Sequence, residues 1–322
     1  MKENILEVKN LEKTFILPNS KKIEAVKGIN FSVKRGEIFG FLGPNGAGKS
    51  TTISMLTAQK QVTDGEILID GESLIKNPDN LKRKIGVVTQ HNNLDRGLTA
   101  RENLIYHARY FGMSKEEANK KADEYLEKFG LLDRQHDYVK NFSGGMAQRL
   151  KIARAMIHTP EILYLDEPTT GLDPAYRAIL WEQMYALNKE FGTTIFLTTH
   201  YMEEPEKLCD RIAIVNQGEL KAIGTCDELK TLVPTKNIIT LKLNPLNPKY
   251  IKEIEKLEHV KKAALQEDGN ILLYMDSSKP DFNKIIDWTN KIGTNLQNIS
   301  LNTVTLDDVF VHLTKKEIKN EN

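Results

Sequence analysis

The chain has 322 residues, 40% of them hydrophobic, with 45 basic against 44 acidic side chains. That length allows one large domain or two ordinary ones, and the near-balance of charge excludes a global pull toward nucleic acid or anionic lipid. The longest apolar runs, such as Ile162 to Leu165 and Ile195 to Leu197, fall far short of the roughly 20 residues that a spanning helix needs. A chain that does not itself cross a membrane is therefore expected.

In chain order, Ile5 to Lys9 alternates apolar and polar residues as a half-buried strand does, and Ile23 to Val33 follows as a second strand. Glu37 to Leu42 is a more continuous apolar run that ends at Gly43, as a buried strand feeding a turn would. Gly65 to Asp70 repeats the strand pattern. From about Asp95 to Thr159 the period becomes helical, with capping boxes at Thr99/Glu102 and Ser114/Glu117 and a stop at Gly130. Strands return at Ile162 to Leu165, Thr194 to Thr198 and Ile212 to Val215. This alternation predicts a mainly parallel central sheet with a helical insertion.

The pattern breaks at Pro234, and a second unit over 237–315 is expected. Its elements are a strand from Asn237 to Leu243, a helix from Pro248 to Leu257, and strands Val260 to Gln266 and Asn270 to Met275 joined at Asp268-Gly269. A helix from Pro280 to Lys291 and a strand from Gln297 to Val304 complete it. The order β-α-β-β-α-β is the ferredoxin-like one. A last helix begins at the capping pair Thr305 and Asp308, with Leu306, Val309, Phe310 and Leu313 on one face, and the polar tail 316–322 follows. Cys209 and Cys226 have no metal-ligand spacing, which suits a reducing cytosol.

Four segments carry chemistry. Gly43-Pro44-Asn45-Gly46-Ala47-Gly48-Lys49-Ser50-Thr51 fits G-x-x-x-x-G-K-[ST] between a buried strand and a helix from Ser50 to Thr57. Glycines let the backbone wrap phosphate oxygens, and the helix N-terminus offers free N–H groups. Lys49 would hold the β- and γ-phosphates of ATP and Ser50 would ligate Mg²⁺; a glycine-rich turn with no ligand is the alternative. Ile162 to Glu167 is an apolar strand ending in two acids. Asp166 could serve a Mg²⁺ shell and Glu167, pointing elsewhere, could polarise a water, unless both are a solvated strand end. Phe142-Ser143-Gly144-Gly145-Met146 starts a helix over Ala147 to Ile157 and describes a second anion site. Gln90 and His200 each follow a strand and are ordinary when taken singly.

Taken together and in this order, the loop at Gly43, Gln90, Ser143-Gly144-Gly145-Met146-Ala147-Gln148, Asp166-Glu167-Pro168, Gly171-Leu172-Asp173 and His200 resemble the ATP-binding cassette of ABC transporters. The resemblance covers residues 4 to 230. It implies an α/β P-loop NTPase fold with an antiparallel β subdomain and a helical insertion at about 95–159, in a cassette spanning 1–232, followed by the small α+β accessory domain at 237–315. It implies ATP hydrolysis with ATP and Mg²⁺. Gln90 would join Ser50 and Asp166 in the Mg²⁺ shell, Glu167 would be the base, His200 would hold the γ-phosphate and the attacking water, and Phe15 would stack on adenine. Core packing is the other reading of Phe15.

The same resemblance answers whose phosphate the second anion site binds. Cassettes of this family pair head to tail, so Ser143, Gly144, Gly145 and Asp173 would complete, in trans, the ATP site of a second copy. Met146 stands where Gln is commoner, and that form is similar to the branch of drug, polysaccharide and lipid exporters, as is the motif Leu306 to Phe310. Pro205 departs from the usual small residue. The resemblance further implies a separate transmembrane permease, contacted through Asp95 to Leu132, and a peripheral position on the cytoplasmic face of the cell membrane. A soluble cassette ATPase acting on ribosomes or DNA is the second reading. Such proteins usually carry two cassettes or a long coiled coil, and neither is visible here. In a P-loop kinase, a third reading, the Ser143 turn and His200 would have no task.

Overall fold

Every residue of Ile38 to Leu42 is buried, as a strand covered on both faces of a parallel sheet must be. The computed structural model describes residues 3–18, 20–235, 237–266, 269–276 and 281–318. Its elements run β1 (Asn4–Ile16), β2 (Lys22–Lys34), β3 (Ile38–Leu42), α1 (Lys49–Leu56), β4 (Asp64–Ile69), β5 (Glu72–Ser73), α2 (Pro78–Lys82), β6 (Ile85–Val88), α3 (Ala100–Tyr110), α4 (Lys115–Lys128), α5 (Gly144–Met156), β7 (Ile162–Asp166), α6 (Pro174–Phe191), β8 (Thr194–Thr199), α7 (Glu203–Leu208), β9 (Arg211–Asn216) and β10 (Glu219–Gly224). They continue as α8 (Cys226–Lys230), β11 (Asn237–Asn244), α9 (Lys249–Ile254), β12 (Val260–Leu265), β13 (Asn270–Met275), α10 (Phe282–Lys291), β14 (Asn295–Thr303) and α11 (Leu306–Ile318).

Contacts divide the chain into Met1–Thr225 and Cys226–Asn322. The break expected near Pro234 falls later than this, because α8 packs on α11 and so goes with the second unit.

The first unit holds two sheets. One is antiparallel, in the order β2-β1-β4-β5; the other runs β10-β9-β3-β8-β7-β6 and is parallel except for β10. Side chains alternate faces along a strand, and the parallel strands split their residues accordingly. Phe39, Phe41, Tyr164 and Phe196 enter one apolar cluster with the antiparallel sheet and α1. Ile38, Leu163, Leu165, Ile195 and Leu197 enter another with α3, α4, α5 and α6. In the first, Phe39 lies 5.6 Å from Phe196 and 5.7 Å from Phe31, ring centre to centre, within the range in which aromatic pairs attract beyond their burial. The capping boxes expected at Thr99 and Ser114 both close.

In the second unit, β12-β13-β11-β14 form an antiparallel sheet. Its residues Ile239, Leu241, Leu243, Ile271 and Leu273 share one core with Ile254 of α9 and with Ile285 and Trp288 of α10. The helix expected from Pro248 to Leu257 ends earlier, at Ile254, and the strand expected from Gln297 begins at Asn295. The Thr305/Asp308 cap forms: the Thr305 amide donates to Asp308 Oδ2 (2.9 Å) and the Asp308 amide donates to Thr305 Oγ1 (3.3 Å). Asp268, Pro280 and the tail from 319 lie outside the described residues.

Candidate functional site

The carboxyl ends of four parallel strands meet at one edge of the sheet, where open α/β sheets present ligand sites. β3 runs into the loop Gly43 to Thr51, β6 into Gln90, β7 into Asp166-Glu167 and β8 into His200. The loop follows from its glycines. A Cβ on Gly43 would stand 2.3 Å from the Val215 carbonyl oxygen. Gly48, at φ +101°, would place one 2.5 Å from that of Ala25. Gly48 is also the N-cap of α1 and supplies no capping side chain, so the first-turn amides are left for an anion. Lys49, 4% exposed, turns back to donate to the carbonyls of Gly43 (2.9 Å) and Pro44 (3.1 Å).

Glu167 lies at the centre of the arrangement. Strand alternation would turn it away from this edge, but its backbone is left-handed, at φ +49°, a conformation uncommon outside glycine. Its amide donates to the Thr198 carbonyl, 3.1 Å away. Its carboxylate pairs with Lys49 Nζ at 3.1 Å, accepts from Gln90 Nε2 at 3.2 Å and Thr170 Oγ1 at 3.2 Å, and meets His200 Nδ1 at 3.1 Å. Burial pushes this carboxyl up, but the Lys49 ammonium and its hydrogen bond, with His200 and Thr170, outweigh it and hold Glu167 below its ordinary value.

Asp166 goes the other way. Burial raises it, offset in part by donors at Thr198 and Ser50. The Thr198 hydroxyl donates to Asp166 Oδ1 at 2.6 Å and that of Ser50 at 3.3 Å. A buried carboxylate that accepts from the Thr198 and Ser50 hydroxyls is suited to a cation. Ser50, Asp166 and the carbonyl end of Gln90 offer oxygen donors, which fit Mg²⁺. No group of three or more His, Cys, Asp or Glu among the described residues could enclose an ion by itself. The set fits an ion that brings phosphate and water ligands of its own.

Other expected residues stand apart. Ser143 is exposed and caps α5, accepting from the Met146 amide at 3.3 Å. Gly144 and Gly145 form the first turn of α5, and a Cβ on Gly145 would press on the Tyr176 ring at 3.0 Å. Asp173 caps α6 through the Ala175 and Tyr176 amides, both 3.1 Å away. Among the described residues, neither Ser143 nor Asp173 is hydrogen-bonded to the Gly43 loop of its own chain. Phe15 lies on β1 opposite Ile23, with the ammonium groups of Lys13 and Lys60 at 5.2 and 5.6 Å from its ring centre, outside the Glu167 cluster.

The departures from pattern have local explanations. Met146 packs on the apolar cluster beside α5, and Pro205 sits in the first turn of α7, where no intrahelical N–H bond is lost. Two residues of the site were not singled out in the sequence. Thr198 is directly opposite Asp166 in the β7–β8 register. Glu204, fully buried, accepts from Thr169 Oγ1 (3.2 Å) and Trp181 Nε1 (3.0 Å) and so ties α7 to α6 and to the segment after Glu167.

Comparisons with known proteins point to one family. A family model described as ABC transporter matches residues 26–170. The linearmycin resistance ATP-binding protein LnrL of Bacillus subtilis is 39% identical over 319 residues, covering 98% of this chain and 100% of that one. The daunorubicin/doxorubicin resistance ATP-binding protein DrrA of Streptomyces peucetius is 37% identical over 300 residues, covering 90% of this chain and 88% of the relative. Among solved structures, an ATP-binding cassette captured as a dimer in a post-hydrolysis state with ADP and phosphate superposes with a TM-score of 0.63. It is 31% identical and covers 68% of this chain and 98% of its own.

Proposed function

The chain belongs to the ABC transporter family as an ATP-binding, ATP-hydrolysing protein, and from that premise we propose that it is the motor of an exporter, working as a head-to-tail pair of copies beneath a separate membrane permease. The observation that carries the reading is the convergence of Lys49, Gln90 and His200, from three separate segments, on the Glu167 carboxylate. Lys49 holds the β- and γ-phosphates, as its buried ammonium beside the α1 N-terminus suits. Glu167, kept ionised by Lys49, takes the proton of the water that attacks the γ-phosphorus as the bond to the ADP oxygen breaks. His200 holds that water and the γ-phosphate in line. Ser50, Asp166 and Gln90 would hold Mg²⁺, which would supply positive charge to offset that of the phosphates.

Ser143, Gly144, Gly145 and Asp173 complete the site of the second copy. The exposure of Ser143, Gly144 and Asp173, and the lack, among the described residues, of a hydrogen bond from Ser143 or Asp173 to the loop of its own chain, support this. Export follows the printed names of the relatives, which confer drug resistance or export Nod factor. No helix among the described residues is long and apolar enough to span a membrane; a separate spanning partner, with this chain at the cytoplasmic membrane face, is part of the proposal. A groove of about 950 Å³ between Thr89, Lys82, His107, Tyr110, Phe111 and Arg154 suits that partner. The second unit is read as a ferredoxin-like accessory domain on its strand and helix order.

Glu167→Gln keeps the shape and removes the base. Nucleotide binding should persist while steady-state phosphate release falls by roughly 10²- to 10⁴-fold. Turnover near that of the wild type would remove Glu167 from the role.

A further inference from the structure

The second unit contains a cavity that ATP hydrolysis does not use. It measures about 270 Å³, and its charged and apolar walls include Lys261, Lys262, Tyr274, Asp308, Val233 and Val311. Lys261 and Lys262 are sequence neighbours on β12, where neighbours should face opposite sides. The pairing with β13 explains why they do not. Val260 pairs with Met275 and Lys262 with Tyr274, which leaves Lys261 as an extra residue. That is a β-bulge, a device that re-aims side chains. Val260 and Ala263 consequently pack into the core shared with α9 and α10, while both lysines between them turn to the cavity.

Two ammonium groups on one wall repel each other. Among the described residues neither forms an ion pair, whereas Lys284 in the same unit is paired with Glu258. The acid at this cavity, Asp308, already accepts from the Thr305 amide (2.9 Å) and hydroxyl (2.7 Å). The Tyr274 phenol, pushed up by burial and by Asp308, stays protonated and can donate. The remaining walls combine apolar Pro234 and Ala264 with His312 and with Thr235, whose hydroxyl already donates to the Asn237 carbonyl at 2.9 Å. The volume lies just below the ~300–1,000 Å³ of ordinary ligand pockets, which selects a ring system or short chain over a whole nucleotide.

We propose that this cavity binds a small amphipathic organic anion, with its carboxylate or phosphate on Lys261 and Lys262 and its apolar body against Val233, Pro234 and Val311. Occupancy would join α11 to β12 and β13. The test uses the full chain, with 1-naphthoate as probe, 1-naphthalenemethanol as its neutral counterpart, and inorganic phosphate as the bare anion, each titrated by calorimetry. Naphthoate should bind one per chain, at least about tenfold more tightly than either of the others. The exposed double variant Lys261→Glu/Lys262→Glu should weaken naphthoate by about tenfold or more, with ATP affinity unchanged. Ala264→Trp, which fills the cavity, should do the same. No saturable naphthoate binding, equal binding of the alcohol or of phosphate, or unchanged naphthoate affinity in the lysine variant would each overturn the assignment.

Discussion

At the residue scale, Asp166 and Glu167 are adjacent acids with opposite surroundings. Asp166 is raised, first by burial, and is held by two hydroxyls; Glu167 meets Lys49 and His200 and is lowered in spite of burial. Groups driven apart in this way can divide metal holding from proton transfer. The motif residues Lys49, Ser50, Asp166 and Glu167 were legible because loop spacing and strand ends are local features. Thr198 was not, because its meeting with Asp166 depends on the register of two strands 32 residues apart, which no local pattern encodes. Thr198→Val should leave that carboxylate short of a donor. We expect a loss of about 1–3 kcal/mol in urea unfolding, together with weaker Mg²⁺-dependent nucleotide binding. Unchanged stability would show that Asp166 draws its support elsewhere.

At the element scale, helix starts were the most readable features. Thr99 and Ser114 each reach the N3 amide and receive the Glu three residues on, a contact contained within four residues. Strand detail was less so. The bulge at Lys261 shows only once β12 is laid against β13. His107 on α3 illustrates how packing sets a charge. Burial, then Arg154 and His158, drive it down from 6.5 to about 4, so it is neutral in the fold at neutral pH. Its folded pKa is lower than its unfolded one, so its stabilising share is complete above pH 6.5 and declines as pH falls from there toward 4. At pH 5 the loss should be about 2 kcal/mol. Unfolding of the wild type and of His107→Gln, compared at pH 7.5 and 5, should show the wild type losing more; parallel losses would assign the acid sensitivity to other groups.

At the scale of the whole molecule, strand–helix alternation was enough to foresee a parallel sheet with a helical insertion. The division of units was displaced, since Pro234 is a visible break but the packing of α8 on α11 is not. The sequence also contains a surplus: two anion-binding turns, at Gly43 and at Ser143, for one nucleotide. In the fold, Lys49 and Glu167 gather around the first, while Ser143 is exposed and caps α5. The proposed second copy would account for the surplus, because symmetric pairing would let each turn face the other chain's loop. The most direct test is the solution mass of Glu167→Gln by light scattering, with and without Mg-ATP. Nucleotide should convert a 36.6 kDa species to one of twice that mass, and adding Ser143→Arg should hold the chain at monomer mass while it still binds ATP. A Glu167→Gln chain that stays monomeric when saturated with ATP, or a pair that forms regardless of Ser143→Arg, would contradict the composite site.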